Sequence, residues 1–231
     1  MSDKITLLST IALDGPLIDK AKKRGMELDA LSFIRVNYAT ADMEPELMEL
    51  RDLPITAVFT SANAVNAIAD IVLLSEAAWN IYCIGNATKN AVMESFSETA
   101  IKGMANSAAE LAEVILADNV LEVVFFCGDK RMDILPDLLR ADEVSVHEMV
   151  VYETIETPHV VEKSYSGILF FSPSGASSFF SVNTPGSTCV LFAIGGSTAE
   201  AIKKYSANKI VLSETPSKEN VVDDAINYFH A

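Results

Sequence analysis

Short apolar runs alternate along the chain with segments of helical periodicity. The runs include AVFT, IYCIG, EVVFFCG, ILFFS and VLFAIG, which are rich in β-branched and aromatic residues and too short for helices. Each run predicts a β-strand, and a Ser, Thr, Asn or Gly followed by a helical pattern such as AVNAIADIVLL comes next. This order is typical of α/β proteins, and wholly apolar strands favour parallel sheets covered on both faces.

The same α/β segments occur twice, about 110 residues apart. Residues 56–68 (TAVFTSANAVNAI) are similar to 167–180 (GILFFSPSGASSFF), 82–94 to 192–204, and 102–116 to 212–229. We interpret this as one folding unit used twice. Ligands of such proteins usually sit in the cleft between the two copies.

The two copies differ in their order along the chain. Residues 123–154 read strand, loop, helix, strand, and the chain start reads the same way through ITLLS, GPLIDKAKKRG and LDALSFIRV. We therefore predict an α/β fold of two flavodoxin-like parallel-sheet domains, bilobal and joined by a two-stranded linker that acts as a hinge. Domain one comprises residues 1–35 plus 155–231, domain two comprises 38–151, and the linker strands lie near 33–38 and 149–156.

Composition narrows the class of protein. The 231 residues are half hydrophobic, which is enough for two small cores, and the net charge of −15 argues against a nucleic-acid partner. No apolar run approaches the roughly 20 residues that a membrane span needs. We interpret ITLLSTIAL as a first strand and not as an export signal, and the three cysteines lack CxxC spacing, so we expect a cytoplasmic protein with free thiols.

Several common chemistries have no motif in this sequence. There is no Walker loop and no GxGxxG after a strand, and SPSGASS lacks the spacing and partners of an acyl-transfer triad. The three histidines, His147, His159 and His230, have no metal-ligand spacing, so we expect no metal. Binding by backbone groups and hydroxyls is the interpretation that remains.

Four turns that follow predicted strands are rich in hydroxyls and glycine. They are Thr60-Ser61-Ala62-Asn63, Gly85-Asn86-Ala87-Thr88, Ser172-Pro173-Ser174-Gly175 and Gly195-Gly196-Ser197-Thr198. Each opens a predicted helix, whose free N–H groups and partial positive charge suit an anion. Each is also explained as an ordinary helix N-cap. Their paired positions in the two copies favour a ligand with several carboxylates or phosphates.

Nearly the whole chain resembles the uroporphyrinogen-III synthase family. The resemblance rests on FTSANAV, YCIGNATKNAV, CGDKRMDILPDLL, VVYETIETP, FFSPSGASSFF, FAIGGSTAEAIKK and ETPSKENVVDDAI. It implies a cofactor-free hydro-lyase of tetrapyrrole (haem) biosynthesis, which cyclises hydroxymethylbilane to uroporphyrinogen III with inversion of ring D and loss of water. It also implies a monomer, with room for a transient contact with the preceding pathway enzyme, and no membrane partner.

The resemblance also implies which residues form the site. Tyr152 is the candidate proton donor, and in its strand we expect it to share a face with Val150 and to oppose Val151. The implied substrate-binding residues are Thr60, Ser61, Thr88, Ser172, Ser174, Gly175, Gly195, Ser197 and Thr198. From the same turns we add Ala62, Asn63, Gly85 and Ala176. Lys130 and Arg131, in the loop after VVFFCG, are candidate cations for the site and are equally explained as a solvated loop pair. The chain departs from the family at Ser9-Thr10 and Asn63, where many or some members carry arginine.

Two other interpretations stay open at this stage. The first is a two-domain protein that binds a small anionic ligand without catalysis, which shares the cleft and the hinge. The second is a flavodoxin-like regulatory module, which predicts an acidic phosphoacceptor cluster or flavin-binding aromatics. Whether the protein is an enzyme or a binding protein, we expect the surplus acidic residues on outer faces such as 42–49 and 219–224.

Overall fold

The computed structural model describes residues 4–38, 40–72, 77–96 and 98–230, without the side chains of Asp70, Val72 and Glu98. The strands are β1 (Thr6–Ser9), β2 (Glu27–Ala30), β3 (Ile34–Tyr38), β4 (Thr56–Phe59), β5 (Asn80–Ile84), β6 (Ile101–Ala105), β7 (Glu122–Gly128), β8 (Ser145–Glu156), β9 (Gly167–Phe170), β10 (Val190–Ala193) and β11 (Ile210–Leu212). The helices are α1 (Gly15–Lys23), α2 (Glu44–Arg51), α3 (Ala62–Val72), α4 (Gly85–Ser95), α5 (Ala108–Ala117), α6 (Ile134–Ala141), α7 (Pro173–Phe180), α8 (Gly196–Lys203) and α9 (Lys218–His230). Short 3-10 turns occupy Ala41–Met43 and Glu98–Ala100.

The chain forms two compact units. The first unit contains Met1–Arg35 and Ile155–Ala231, and the second contains Val36–Thr154. The chain passes between them within β3 and within β8, and these two strands are neighbours in one sheet. That the units are separate domains on a hinge stays a prediction.

The first unit is built on a five-stranded sheet in the order β11-β10-β9-β1-β2. Every neighbouring pair in it is parallel, and the order is that of flavodoxin-like folds. Every residue of β9 and β10 is buried, because helices cover both faces of the sheet. The apolar runs of the sequence are therefore the central strands.

The second unit repeats this design with a sixth strand. Its sheet has the order β3-β8-β7-β4-β5-β6, and the five strands from β8 to β6 are parallel. Strands β7, β8, β4, β5 and β6 take the places that β1, β2, β9, β10 and β11 take in the first unit. The predicted α/β class with two parallel sheets of flavodoxin-like order is confirmed.

Each sheet separates two apolar clusters. On one face of the second sheet, Phe126 stacks between Phe59 and Trp79, with ring centroids 5.1 and 5.4 Å away. The other face packs against helices α5 and α6 through Leu111 and Leu135, among others. All three cysteines are buried and free; Cys83 and Cys127 lie in strands, whereas Cys189 stands just before β10 and not inside it.

Local signals in the sequence set where the helices begin and end. The Asp14 carboxylate accepts the Leu17 N–H at 3.2 Å and caps α1, which is followed by Gly25 in the left-handed region at φ 72°. Ser107 is the N-cap of α5, and its hydroxyl accepts the Glu110 N–H at 3.2 Å. A capping side chain thus marks the start of each of these two helices.

Candidate functional site

The predicted binding turns of the second unit lie at one edge of its sheet. Strands β7, β4 and β5 are parallel neighbours, so their carboxyl ends meet at this edge. It carries Thr60, Ser61, Ala62 and Asn63 after β4, Gly85 and Thr88 after β5, Lys130 and Arg131 after β7, and Tyr152 on β8. Helices α3 and α4 begin here, so their first N–H groups lie at the same edge.

The first unit has the corresponding arrangement. Its turns follow the adjacent parallel strands β9 and β10 and open α7 and α8. They carry Ser172, Ser174, Gly175 and Ala176 in one turn, and Gly195, Ser197 and Thr198 in the other. Open α/β sheets bind ligands at this edge, so each unit has a set of predicted residues where the fold favours binding.

The serines that follow β4 and β9 are bonded to their own helices. The Ser61 hydroxyl accepts the Asn63 N–H at 3.1 Å, and the Ser172 hydroxyl accepts the Gly175 N–H at 3.0 Å. Ser172 is the N-cap of α7. These two positions therefore act as ordinary helix caps, which is the structural explanation that the sequence left open.

The glycine turns differ from the serine turns. Helix α4 follows Ile84 and helix α8 follows Gly195, and neither helix has a hydrogen bond from a capping side chain. The first N–H groups of a helix have no partner inside the helix, so those of α4 and α8 can bind an anion. Gly85 adopts φ 72°, a conformation that glycine favours, whereas Gly195 is extended at φ −168°.

Three of the predicted residues point their side chains into the protein. Thr88 is 4% exposed, Thr198 is 1% exposed and Ala176 is fully buried. The two threonines occupy the same position in the two copies, in YCIGNAT and FAIGGST. A ligand at the strand ends can reach these residues through the backbone, which limits the part that their side chains play.

Arg131 is committed to carboxylates of its own unit. Its guanidinium pairs with Glu148 on β8 and lies 3.5 Å from the Asp133 carboxylate. Glu148 also binds Arg140 at 2.6 Å, so two arginines share one largely buried carboxylate. Lys130 is exposed in the adjoining turn. Arg131 must therefore leave or share these carboxylates in order to bind a substrate anion.

Ser9 and Thr10 are fully buried at the end of β1. The Ser9 hydroxyl donates to the Ile11 carbonyl at 2.6 Å, and the Thr10 hydroxyl donates to the Leu169 carbonyl at 2.9 Å. The positions where many family members carry arginine thus hold the turn after β1 against β9. They supply no positive charge to the site.

The pairing of β7 with β8 is interrupted immediately before Tyr152. Cys127 pairs with Val150, but the next residue, Gly128, pairs with Tyr152, so Val151 is an extra residue in β8. This is a β-bulge, and bulges redirect the side chains that follow them.

The bulge changes the side of the sheet on which Tyr152 packs. We expected it to share a face with Val150 and to oppose Val151. This expectation is wrong, because Tyr152 packs against the apolar cluster that contains Met149 and Val151. Side chains alternate strictly between the two faces of a sheet only where the pairing of the strands is continuous.

The Tyr152 hydroxyl is placed at the strand ends among polar groups. Burial raises the pKa of Tyr152 above its ordinary value, and a side-chain hydrogen bond with Ser61 opposes part of this rise. The nearby Cys127 and Asp129 also raise the pKa of this phenol. The phenol is therefore protonated throughout the neutral range and can donate a proton.

Sequence reasoning did not single out Asp129. Its N–H donates to the Tyr152 carbonyl at 3.1 Å, and its carboxylate accepts the Thr154 N–H at 2.8 Å. The only sequence signal was its place directly after the strand VVFFCG, in a loop from which we chose the cations alone.

Metal-binding groups and membrane-spanning helices can be looked for among the residues that the structure describes. Within the described ranges, no group of His, Cys, Asp and Glu side chains is arranged to hold a metal ion. Among the same residues, no helix combines the length and the apolar character that crossing a membrane requires.

Comparison with known proteins identifies the family. The family described as Uroporphyrinogen-III synthase HemD matches residues 16–223. A mutant uroporphyrinogen III synthase from the extremely thermophilic bacterium Thermus thermophilus is similar with a TM-score of 0.67 at 11% identity, covering 98% of each chain. The uroporphyrinogen-III synthetase of Helicobacter pylori gives 0.66 at 16% identity, covering 97% of this chain and 99% of that one. At these identities the two structures establish the shared fold, and the match over residues 16–223 establishes that the chain belongs to the uroporphyrinogen-III synthase family.

Proposed function

We propose that this protein is a cyclising hydro-lyase that converts hydroxymethylbilane to uroporphyrinogen III, with inversion of ring D and loss of water. The observation that carries the proposal is the family match over residues 16–223. The fold supports it, because each unit presents helix N-termini at the carboxyl edge of a parallel sheet.

The reaction needs a controlled geometry more than a strong catalytic group. Departure of the hydroxyl group, with a proton, as water leaves a reactive azafulvene. The ring D carbon that already carries the link to ring C attacks it and gives a spiro intermediate. The old bond between this carbon and the link then breaks, and the other free carbon of ring D bonds to the link and loses its proton, which leaves ring D reversed. Without a catalyst the bilane closes without inversion. The protein must therefore hold a flexible chain in one productive arrangement, which is catalysis by positioning.

We propose that backbone N–H groups and side chains at the strand ends bind the carboxylates of the bilane. The free N–H groups of α4 and α8, at Gly85 and Gly195, are the strongest candidates, because no side chain caps these helices. The other substrate contacts that we propose are Thr60, Ser61, Ala62, Asn63, Thr88, Lys130, Arg131, Ser172, Ser174, Gly175, Ala176, Ser197 and Thr198. For Thr88, Ala176 and Thr198, whose side chains are buried, the contact is through the backbone.

Tyr152 is the side chain that we propose as proton donor to the leaving hydroxyl. It is protonated at neutral pH and lies at the carboxyl edge of the second sheet. The leaving group sits on an activated carbon, so the proton has a modest effect on rate. Selectivity for the inverted product then depends on how the bilane is held, and turnover depends in part on the phenol.

The decisive experiment is to supply the purified protein with freshly made hydroxymethylbilane and to determine the isomer of the product. The type III isomer should predominate without added metal or cofactor. The matched control is the same bilane without protein, which closes to the type I isomer. A product distribution equal to this control would rule out the synthase and leave a binding protein.

The cellular location, the oligomeric state and the contact with another enzyme are part of the same proposal. We infer a cytoplasmic monomer that receives its unstable substrate from the preceding pathway enzyme through a transient contact. Light scattering of the purified protein gives the mass in solution, and a mass of twice 25.0 kDa would contradict the monomer.

A further inference from the structure

The Tyr152 ring occupies space that exists because residue 128 is a glycine. A Cβ on Gly128 would lie 2.4 Å from the Tyr152 Cζ and 2.8 Å from its hydroxyl oxygen. These distances are far below van der Waals contact, so the phenol rests directly on the backbone of β7. Any side chain at position 128 would displace the hydroxyl from its place at the strand end.

Asp129 bonds to β8 at this tyrosine and again two residues after it. Its N–H donates to the Tyr152 carbonyl at 3.1 Å, and its carboxylate accepts the Thr154 N–H at 2.8 Å. Residue 151 is the extra residue of the bulge, so these bonds fix β8 where its regular pairing with β7 has just been interrupted. A hydrogen bond from an N–H to a carboxylate is about twice as strong as one between neutral groups.

We propose that Asp129 is a positioning residue that holds the Tyr152 phenol at the carboxyl edge of the second sheet, with Gly128 providing the room for its ring. The inference rests on the proposed function, in which Tyr152 donates a proton. Asp129 does not touch the reacting atoms. It acts by keeping the strand that carries Tyr152 in one register relative to Gly128.

A second tyrosine in the same sheet provides a matched comparison. The pairing of β5 with β6 is also interrupted, next to Tyr82, and a Cβ on Gly103 would lie 2.6 Å from the Tyr82 ring. Here the hydroxyl donates to the Asp118 carboxylate at 2.6 Å, at the end of α5. Helix α5 ends at the opposite edge of the sheet from the binding turns. Tyr82 is thus packed against a glycine as Tyr152 is, but its hydroxyl lies at the other edge of the sheet from the binding turns.

The test is a double-mutant cycle on the full-length protein. Asp129→Ala removes the acceptor for the Thr154 N–H, and turnover should fall about five- to tenfold, because a small misplacement of a catalytic group is costly. Asp129→Asn keeps an oxygen acceptor at the same place, so turnover should stay within about twofold of wild type. In a Tyr152→Phe background, Asp129→Ala should cost less than about twofold, since the two residues act as one unit.

A readout without substrate tests the same inference. The NMR signal of the Tyr152 ζ carbon, assigned by its loss in Tyr152→Phe, should shift in Asp129→Ala and stay in place in Asp129→Asn. The Tyr82 signal should stay in place in both variants, and Tyr82→Phe should leave turnover within about twofold. Position 129 is exposed, so we expect these variants to fold.

The outcomes separate this inference from the proposed function. If wild type makes no type III isomer, the proposed function fails, and the NMR comparison still decides whether Asp129 holds the phenol. If wild type makes the isomer but Asp129→Ala costs the same with and without the Tyr152 hydroxyl, Asp129 does not act through Tyr152. Equal losses in Asp129→Asn and Asp129→Ala would show that the charge matters and the hydrogen bond does not. Either of these two results overturns the inference.

Discussion

At the scale of single residues, four hydroxyl groups near the strand ends are engaged by the chain itself. Ser9, Thr10, Ser61 and Ser172 each hold a backbone group of their own unit. Ser9 and Thr10 already donate their hydroxyl protons, so binding a substrate carboxylate through them costs an existing hydrogen bond. Ser61 and Ser172 accept an N–H in these bonds, which leaves the donor capacity of the hydroxyl out of the cap. The uncapped glycine turns have no such cost, and they are the places where we expect the backbone to carry most of the binding.

Gly195→Val tests whether a substrate approaches the backbone closely. A Cβ at Gly195 meets no atom within 4 Å, and its φ of −168° suits any residue, so the free protein should keep its Tm within a few degrees. The KM should rise about tenfold or more, because the new side chain blocks the N–H groups of α8. The measurements are steady-state kinetics and thermal unfolding.

Gly186→Val is the control for this substitution. It also has open space, and it lies in the turn before β10, at the other edge of the same sheet. Its KM should equal that of wild type. A KM unchanged in both variants would mean that substrate does not approach α8. Gly85 is not a suitable position for this test, because its φ of 72° strains any side chain.

Tyr152→Phe tests the proton donor. Turnover should fall by about one to two orders of magnitude, while the type III isomer remains the main product. Because burial raises the pKa of the phenol, the wild-type rate should not decline through loss of its proton until the pH is well above neutral. Turnover, product isomer and Tm are measured together. An unchanged rate in a normally stable variant would show that the ring has a packing role alone.

At the scale of elements, the strands, their parallel pairing and the permuted order of the two copies could be predicted from the sequence. Buried parallel strands leave a strong signal, because every residue of a run such as GILF must be apolar. The turns could be placed for the same reason. They follow directly from where the apolar runs end.

The bulge and the ion pairs could not be predicted in this way. Val150 and Val151 are both apolar, so the sequence does not show which of them is the extra residue of β8. The pairing of Arg131 with Glu148 joins the loop after β7 to β8 and depends on how the strands are aligned. Asp129 acts through the same alignment. Contacts that depend on register are visible only in the folded chain.

The N-cap of α7 provides a prediction about an element. Ser172→Ala removes the hydroxyl that accepts the Gly175 N–H, and we expect a loss of about 1 kcal/mol in the free energy of unfolding. Activity should fall only several-fold, since we expect backbone N–H groups to carry most of the binding. Ser107→Ala is the matched control, because Ser107 caps α5 in the same way without being a predicted binding residue.

The two variants together decide how the Ser172 hydroxyl is used. The two variants could lose the same stability while only Ser172→Ala loses activity, by more than about a hundredfold. This result would mean that the Ser172 hydroxyl binds substrate directly. Chemical denaturation and steady-state kinetics give the two quantities.

At the scale of the whole molecule, the protein carries a net charge of −15 and is proposed to bind a substrate with eight carboxylates. The acidic side chains of α2, Glu44, Glu46 and Glu49, are exposed, as we expected for residues 42–49. In the other expected stretch, 219–224, Glu219 is exposed but Asp223 and Asp224 are only partly so. At long range this surface repels the bilane. At short range the aligned N–H groups of helix N-termini attract it.

The dependence on salt should therefore be opposite to that of a basic enzyme. The Debye length falls from about 30 Å at 0.01 M salt to about 10 Å at 0.1 M, which screens the repulsion more than the short contacts. We expect kcat/KM to rise about two- to fivefold over this range. The double variant Glu44→Gln/Glu49→Gln should show a smaller rise. A steady decrease of kcat/KM with salt would show that exposed cations dominate the encounter.

The insertion of the second unit into the first has a consequence for synthesis on the ribosome. Strands β1 and β2 emerge early, but β9, the other neighbour of β1, is made only after the 119 residues of Val36–Thr154. At about 5–20 residues per second, this delay lasts roughly 6–24 s. During that time Leu7 and Leu8, buried in the finished protein, belong to a strand with an open edge. The nascent chain is thus most open to mispairing and to chaperone binding at β1 until the whole inserted unit and then β9 have been made.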